Sequence, residues 1–303
     1  YVMKKNTSKE NQLIADQKKL QPFLKCQDLA VSRETFDLFL DPEKQMLVTL
    51  PRPDLNDLPA YYESEDYISH TDSTRTLVDR AYQFVKNYSV KKKLGLINSL
   101  VDHEGSILDI GCGTGDFLSV CQKGGWRING IEPNEKARSI ASDKISNEGA
   151  VTDVIDAYLK THKESFDVIT MWHVLEHVPN LEQYIEHLKL LLKPEGWLIV
   201  AVPNFNSYDA KHYREFWAAY DVPRHLWHFS DVSIKQIFQE FDFKVRRILP
   251  LVFDSFYVSI LSEKYKSGKS NLLKAFRIGL LSNLKARRSR QYSSLIYLIK
   301  NAN

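Results

Sequence analysis

From residue 106 onward, short apolar runs alternate with amphipathic segments. Strands are predicted at SILDI (106–110), RINGI (127–131), AVTDV (150–154), FDVITMW (166–172) and WLIVAV (197–202). Each is nearly all apolar, as parallel strands covered on both faces are. Between them, 117–123, 134–147 and 181–192 carry helical patterns, and in the last Leu181, Tyr184, Ile185 and Leu188 share one face. Punctuation agrees. Gly124–Gly125 closes the first helix, Asn134 and Asn180 cap the next two, and Gly149 lies past the end of the second. A helix at 231–240, capped by Ser230, precedes a strand at 242–249, and SSLIYLIK (293–300) reads as a final strand. This alternation predicts an α/β, doubly wound sheet.

Upstream the pattern weakens. Residues 1–19 are polar and predict a loose tail. Residues 26–70 look irregular, with prolines at 42, 51, 53 and 59 and one short strand, MLVTL (46–50). YYESEDYISH (61–70) mixes aromatics with acids and ends at a helix cap. Leu77, Ala81, Phe84, Val85 and Tyr88, then Leu94, Ile97, Leu100 and Val101, predict two helices over 73–101. After residue 250 come about forty helical, basic residues, read as an insertion before the last strand rather than a separate domain.

Composition narrows the function classes. A net charge of +3 gives no sign of a nucleic-acid partner, although Lys264, Lys266, Lys269, Lys274, Arg277, Lys285, Arg287, Arg288 and Arg290 crowd the insertion. Cys26, Cys112 and Cys121 form no C-x-x-C pair, so neither a disulfide framework nor a zinc knuckle is predicted, which fits a reducing cytoplasm. No apolar run approaches membrane-spanning length.

The chemistry concentrates in LDIGCGTGDF (108–117). Asp109 lies at the end of a strand, where open α/β sheets bind ligands. Gly111, Gly113 and Gly115 let the backbone turn and approach a ligand closely, and the following helix offers free N–H groups. Glu132, about twenty residues on, can accept hydrogen bonds from both hydroxyls of a ribose. The spacing is G-x-G-x-G, not the G-x-G-x-x-G of dinucleotide sites, and the leading acid suits a ligand carrying an amine. A nucleoside joined to an amino acid describes S-adenosylmethionine.

LDIGCGTGDF, GIEPN, FDVITMWHVLEHVPN and LKPEGWLIVAVPN resemble the successive motifs of class I S-adenosylmethionine-dependent methyltransferases, and are most similar to the ubiquinone-biosynthesis O-methyltransferase group. They cover roughly residues 105–250. The resemblance implies a Rossmann-like seven-stranded sheet whose last strand, SSLIYLIK, runs antiparallel. It implies a methyltransferase domain over 71–303 behind an extension at 1–70. Asp109, Gly111, Cys112, Gly113 and Gly115 would hold the methionine half of the cofactor, and Glu132 the ribose. Pro133, Asp153 and Val154 would flank the adenine, with Met171 and Trp172 facing the sulfur. Relatives carry cysteine pairs near the short early strand; here only Cys26 remains, so no metal is expected there.

His173, Glu176 and His177 form H-x-x-E-H, also an inverted zinc-peptidase string. It comes directly off a strand and Pro179 interrupts it, which disfavours a peptidase; the preferred reading is that Glu176 and His177 fix the loop and that no metal is bound, and the alternative that the resemblance implies is a divalent-ion site, with His173 standing where that group tends to carry an acid. His173 is a candidate general base. YDVPRHLWHFS (220–230) offers His225 as a second base, and Tyr220, Arg224 and His228 for the acceptor; Arg224 can pair an anionic group. The expected acceptor is a small molecule, with a hydroxyl favoured because no N-P-P-Y-like motif follows the fourth strand. The basic insertion reads first as a solvated face; the alternatives are a lid, a dimer contact or a peripheral membrane contact, and a lipid-linked or sugar acceptor would suit the last. Two other readings compete: a nicotinamide-dependent oxidoreductase, disfavoured by the glycine spacing, and a cofactor-binding scaffold without activity.

Overall fold

The computed structural model describes residues 19–54, 56–62, 77–102, 105–145, 150–269 and 271–302. The polar tail through residue 18, the cap expected at the end of 61–70, the start of the helix expected from 73 and Gly149 lie outside the described residues. In chain order the strands are β1 (Gln21–Gln27), β2 (Thr35–Asp41), β3 (Met46–Leu50), β4 (Ser106–Ile110), β5 (Arg127–Ile131), β6 (Ala150–Thr152), β7 (Phe166–Trp172), β8 (Leu192–Pro203), β9 (Trp227–His228), β10 (Phe243–Pro250) and β11 (Ser294–Asn301). The helices are α1 (Leu77–Asn98), α2 (Asp116–Lys123), α3 (Glu135–Lys144), α4 (Asp156–Leu159), α5 (Leu181–Leu191), α6 (Tyr208–Tyr213), α7 (Asp231–Gln239), α8 (Asp254–Ser267) and α9 (Leu272–Ser289). Seven strands form one sheet in the order β10–β11–β8–β7–β4–β5–β6, and β11 runs antiparallel to β10. The expected Rossmann-like sheet with its reversed last strand is therefore present.

The chain divides into two compact units. The first runs from α1 to Trp172 and resumes over Ile185–Ile199. Its centre is β4, parallel to β5 on one side and β7 on the other, with every β4 side chain buried. Gly130 on β5 allows close packing: a Cβ there would meet Leu118 at 2.8 Å and the Cys112 sulfur at 2.9 Å. The two helices expected over 73–101 are the single helix α1. Gly95 does not break it, and no atom lies within 4 Å of where its Cβ would stand.

The second unit contains β1–β3, His173–Tyr184 and the chain from Val200 onward. Its four-stranded sheet, ordered β1–β2–β3–β9, corrects the irregular reading of 26–70. All its pairings are antiparallel. The turns are closed by carboxylates. Asp28 accepts from the backbone N–H of Ala30, Val31 and Ser32, and Asp41 from those of Glu43 and Lys44. Trp227 and His228, expected in a loop, are β9, paired with Val48 and Leu47. Leu38, Leu47, Tyr213, Trp217 and Tyr220 form the centre of this unit's core.

Candidate active site

In the first unit, the end of β4 and the turn behind it gather glycines and two acids, built from the backbone up. Gly111, Gly113 and Gly115 all have positive φ, at 72°, 55° and 76°. Only glycine takes such angles without strain. At Gly115 a Cβ would also sit 3.0 Å from Ala141, whereas Gly113 opens onto space with nothing within 4 Å. The N–H groups of Gly111 and Cys112 both donate to the Ile131 carbonyl, at 2.7 and 3.0 Å, which bends the turn back over β5. Glu132 then pins it. Its Oε2 accepts from the Gly113 N–H and its Oε1 from the Asn134 N–H, each at 2.9 Å. Burial raises the Glu132 pKa, against those two N–H groups. Each carboxylate oxygen keeps a second lone pair for a hydroxyl.

Asp109 is the most perturbed acid of this turn. It is 3 % exposed, and its Oδ1 accepts from the Thr170 hydroxyl at 2.5 Å. Burial pushes its pKa up to about 7, although Thr170 and the Lys93 ammonium pull it down and Glu132 pushes it further up. A buried carboxylate so poorly compensated favours a cationic ligand. Met171 is fully buried on β7, while Trp172 is half-buried, edge-on to Phe117 with the Lys93 ammonium 4.2 Å from its ring centre. Cys112 is buried and its thiol pKa is driven up by burial. Pro133 is half-buried, and its carbonyl accepts from Arg138. Asp153 is exposed and Val154 half-buried just beyond β6. Thr170 and Lys93 escaped the sequence reading. Thr170, the lone hydroxyl in FDVITMW, was a usable signal, whereas nothing separates Lys93 from its neighbours Lys91 and Lys92.

The second unit gathers the histidines. His173 has φ 58°, a rare conformation for a non-glycine residue and one that clusters at functional positions. Its Nε2 lies 2.9 Å from Asp254 at the start of α8, and its Nδ1 lies 3.5 Å from buried Glu176. Burial disfavours the imidazolium, yet these two carboxylates outweigh it and hold the pKa near 10. His173 therefore already carries its proton at neutral pH, which opposes the reading of it as a general base. Asp254, which sets this state, lies far along the chain and had no sequence signal. Glu176 is 1 % exposed, its Oε1 lies 3.5 Å from His173 Nδ1, and its Oε2 has no hydrogen-bond partner among the described residues. His177 Nδ1 sits 3.0 Å from both the Tyr62 hydroxyl and the Arg224 carbonyl, and burial lowers its pKa to about 4. His225 Nδ1 donates to the Ala219 carbonyl at 2.9 Å, and its Nε2 lies 3.9 Å from Asp221 Oδ2. The His177 and His225 rings meet edge to face at 4.6 Å. Donor atoms of Glu176, His177 and His225 all fall within 4.8 Å of one another, a spacing that can close on a divalent cation.

The expected acceptor-binding residues do not reach a mouth. Arg224 is 2 % exposed and saturated by the protein itself. Its Nη2 lies 2.9 Å from Asp28 and 2.6 Å from Asp221, its Nε donates to Asp221, and its Nη1 to the Tyr61 carbonyl. It ties the early sheet to the 220–230 segment instead of receiving an anion. Tyr220 is buried edge-on against Trp217 and His228, and His228 lies 3.0 Å from the Thr49 hydroxyl. All three are interior residues, buried because β9 completes a sheet.

The family described as a methyltransferase domain matches residues 80–248. The chain is similar to a ubiquinone biosynthesis O-methyltransferase of Thiobacillus denitrificans, 31% identical over 105 residues, covering 33% of this chain and 45% of that protein. A protein of the same name from Actinobacillus pleuropneumoniae serotype 5b is 35% identical over 106 residues, covering 32% and 45%. This chain thus spans about half the length of the curated relatives it matches. In fold it is similar to magnesium protoporphyrin IX methyltransferase from Synechocystis, solved with bound SAH. That match has 14% identity and a TM-score of 0.53, and covers 81% of this chain and 99% of that one.

Proposed function

Because this chain belongs to the methyltransferase domain family, we propose that it transfers a methyl group from S-adenosylmethionine to a hydroxyl oxygen of a small-molecule acceptor. The observation that carries the reading is Asp109: a buried carboxylate with a pKa near 7, next to a turn of three left-handed glycines. Burying a charge is costly unless it is paired, and the ammonium of the cofactor's methionine half supplies the pair. Glu132 takes the ribose hydroxyls with its remaining lone pairs, and Gly113 leaves room for the ligand beside it. The residues fit the group.

The bound cofactor supplies an electrophilic methyl group on a sulfonium. A hydroxyl acceptor that took up that methyl group would have to give its proton to a base of the protein. His225 is the base this reading assigns, its ring held by the Nδ1 hydrogen bond to the Ala219 carbonyl. His173, already an imidazolium between Asp254 and Glu176, serves as a positioning residue. Its similarity to O-methyltransferases supports oxygen as the acceptor atom. Three free, buried cysteines support a reducing compartment such as the cytoplasm.

Radiolabelled methyl transfer to a panel of catechols and other phenols tests the reading. The expected result is transfer to at least one hydroxyl, reduced about 100-fold or more in His225→Gln. Transfer that is undiminished in that variant removes His225 from the chemistry. Labelled amines with unlabelled phenols overturn the oxygen acceptor.

A further inference from the structure

The helical hairpin of α8 and α9 distributes its side chains in an unusual way. The face of α9 that packs inward is made of small residues: Ala275, Gly279, Ser282 and Ala286, with Ile278 the only large one. It meets Ser255, Val258, Ser259 and Ser262 of α8. The backbones approach so closely that a Cβ on Gly279 would stand 3.0 Å from the Phe256 Cα and from the Ser255 carbonyl. The large apolar residues Leu272, Leu273, Phe276, Leu280, Leu281 and Leu284 face outward. Leu273 is 74% exposed and Phe276 56%. A helix of a water-soluble domain ordinarily does the reverse, burying leucine and exposing small or polar side chains. A contiguous exposed apolar stripe of this kind marks an interaction surface.

Charge identifies what covers it. Between residues 264 and 290 there are nine lysines and arginines and no acidic residue. Arg277, Lys285, Arg287 and Arg288 are exposed along α9 itself, interleaved with the leucines. A second copy docked through the same face across a two-fold axis would set Arg277, Lys285, Arg287 and Arg288 of each copy against those of the other, with no acidic side chain on α9 to offset them. An anionic bilayer surface instead takes the leucines and Phe276 into its acyl boundary and neutralises the cations with lipid phosphates. No helix among the described residues is long and apolar enough to cross a membrane, so the contact is a peripheral one. We propose that the outward face of α9 seats the protein on anionic lipid membranes. The inference is independent of the methyl acceptor and of the catalytic residues.

Vesicle flotation of the full chain tests it without reading activity. Vesicles of phosphatidylcholine alone are compared with vesicles containing one-quarter phosphatidylglycerol, at about 0.1 M and about 0.5 M salt. Expected are at least about tenfold stronger partitioning onto the anionic vesicles and its loss at the higher salt. Leu273→Ser combined with Phe276→Ser should weaken partitioning about tenfold or more. Arg287→Glu combined with Arg288→Glu should do the same. Because these side chains are exposed, both variants should melt at the parent temperature, which shows that they fold. Equal partitioning onto both vesicle types, or a Leu273/Phe276 variant that melts normally and partitions as before, overturns the proposal. So does a concentration-dependent dimer in sedimentation that the same variant dissolves, since the face would then belong to a second copy.

Discussion

Asp28 and Asp109 are both almost wholly buried aspartates, at 1 % and 3 % exposure, and their surroundings treat the charge in opposite ways. Asp28 accepts from the Arg224 guanidinium, from three backbone N–H groups and from the Ser32 hydroxyl. Burial pushes its pKa up, but those donors outweigh it and hold the carboxyl below its ordinary range. Asp109 accepts from one threonine hydroxyl, and burial wins, placing its pKa at about 7. Saturation marks architecture, and undersupply marks a site prepared for a ligand. The same contrast separates Arg224, whose charge is spent inside the protein, from Asp109, whose buried carboxylate has a single threonine hydroxyl donating to it.

The sharpest way to break the comparison is to remove the saturating cation. Arg224→Ala strands Asp28 and Asp221 and should cost about 3–5 kcal/mol of stability, measured by urea unfolding. A loss below about 1 kcal/mol would show a surface-like pair. Asp109→Asn should do the opposite. Asp109 titrates near 7 when folded and near 3.8 when unfolded, so the folded state binds the extra proton between those values. Its ionisation therefore costs stability as pH rises from about 4 to about 7. At pH 8 the asparagine variant should be more stable than the parent by about 2–4 kcal/mol, while losing the cofactor. Asp28 carries the reverse sign: its contribution is present above its unfolded value and fades as pH falls below about 4.

The glycines sharpen the same contrast at smaller scale. Gly115→Ala meets both a left-handed backbone and Ala141, and should cost about 3 kcal/mol. Gly113→Ala meets only the backbone penalty, about 1–2 kcal/mol, but should weaken cofactor affinity more per unit of stability lost. Equal stability losses would contradict the packing difference at the two positions. The smallest effect is spectroscopic. His173 should remain an imidazolium at pH 8 by nuclear magnetic resonance, and Asp254→Asn should lower its titration point. The stability this pair contributes is full below the ordinary histidine value and fades as pH rises toward about 10. A neutral His173 ring at pH 8 in the parent would reverse the assignment of base and positioning residue.

Local patterns in the sequence located most of the parallel sheet within a residue or two, because buried strands such as SILDI and FDVITMW are short apolar runs bounded by glycine, asparagine or a helical period. The glycine turn was legible for a similar reason: left-handed φ at Gly111, Gly113 and Gly115 leaves a mark on residue type. β1 and β2 were not legible. β1 is mostly exposed along its length, with only Cys26 deeply buried, so its apolar alternation is faint. The 220–230 segment misled because aromatic and basic side chains near a proline resemble a ligand mouth. What makes Arg224 and His228 structural is Asp28, Thr49 and Tyr61, each more than 150 positions away. The protonation of His173 depends likewise on Asp254, which no local window contains.

Isothermal calorimetry of S-adenosylhomocysteine and S-adenosylmethionine at pH 8, on folded protein freed of carried-over nucleoside, measures most directly whether the buried Asp109 carboxylate waits for an ammonium. One-to-one heat with both ligands in the parent, and none in an Asp109→Asn variant that melts at or above the parent temperature, is the expected result. Absence of heat in the parent, or undiminished binding in the variant, would contradict it.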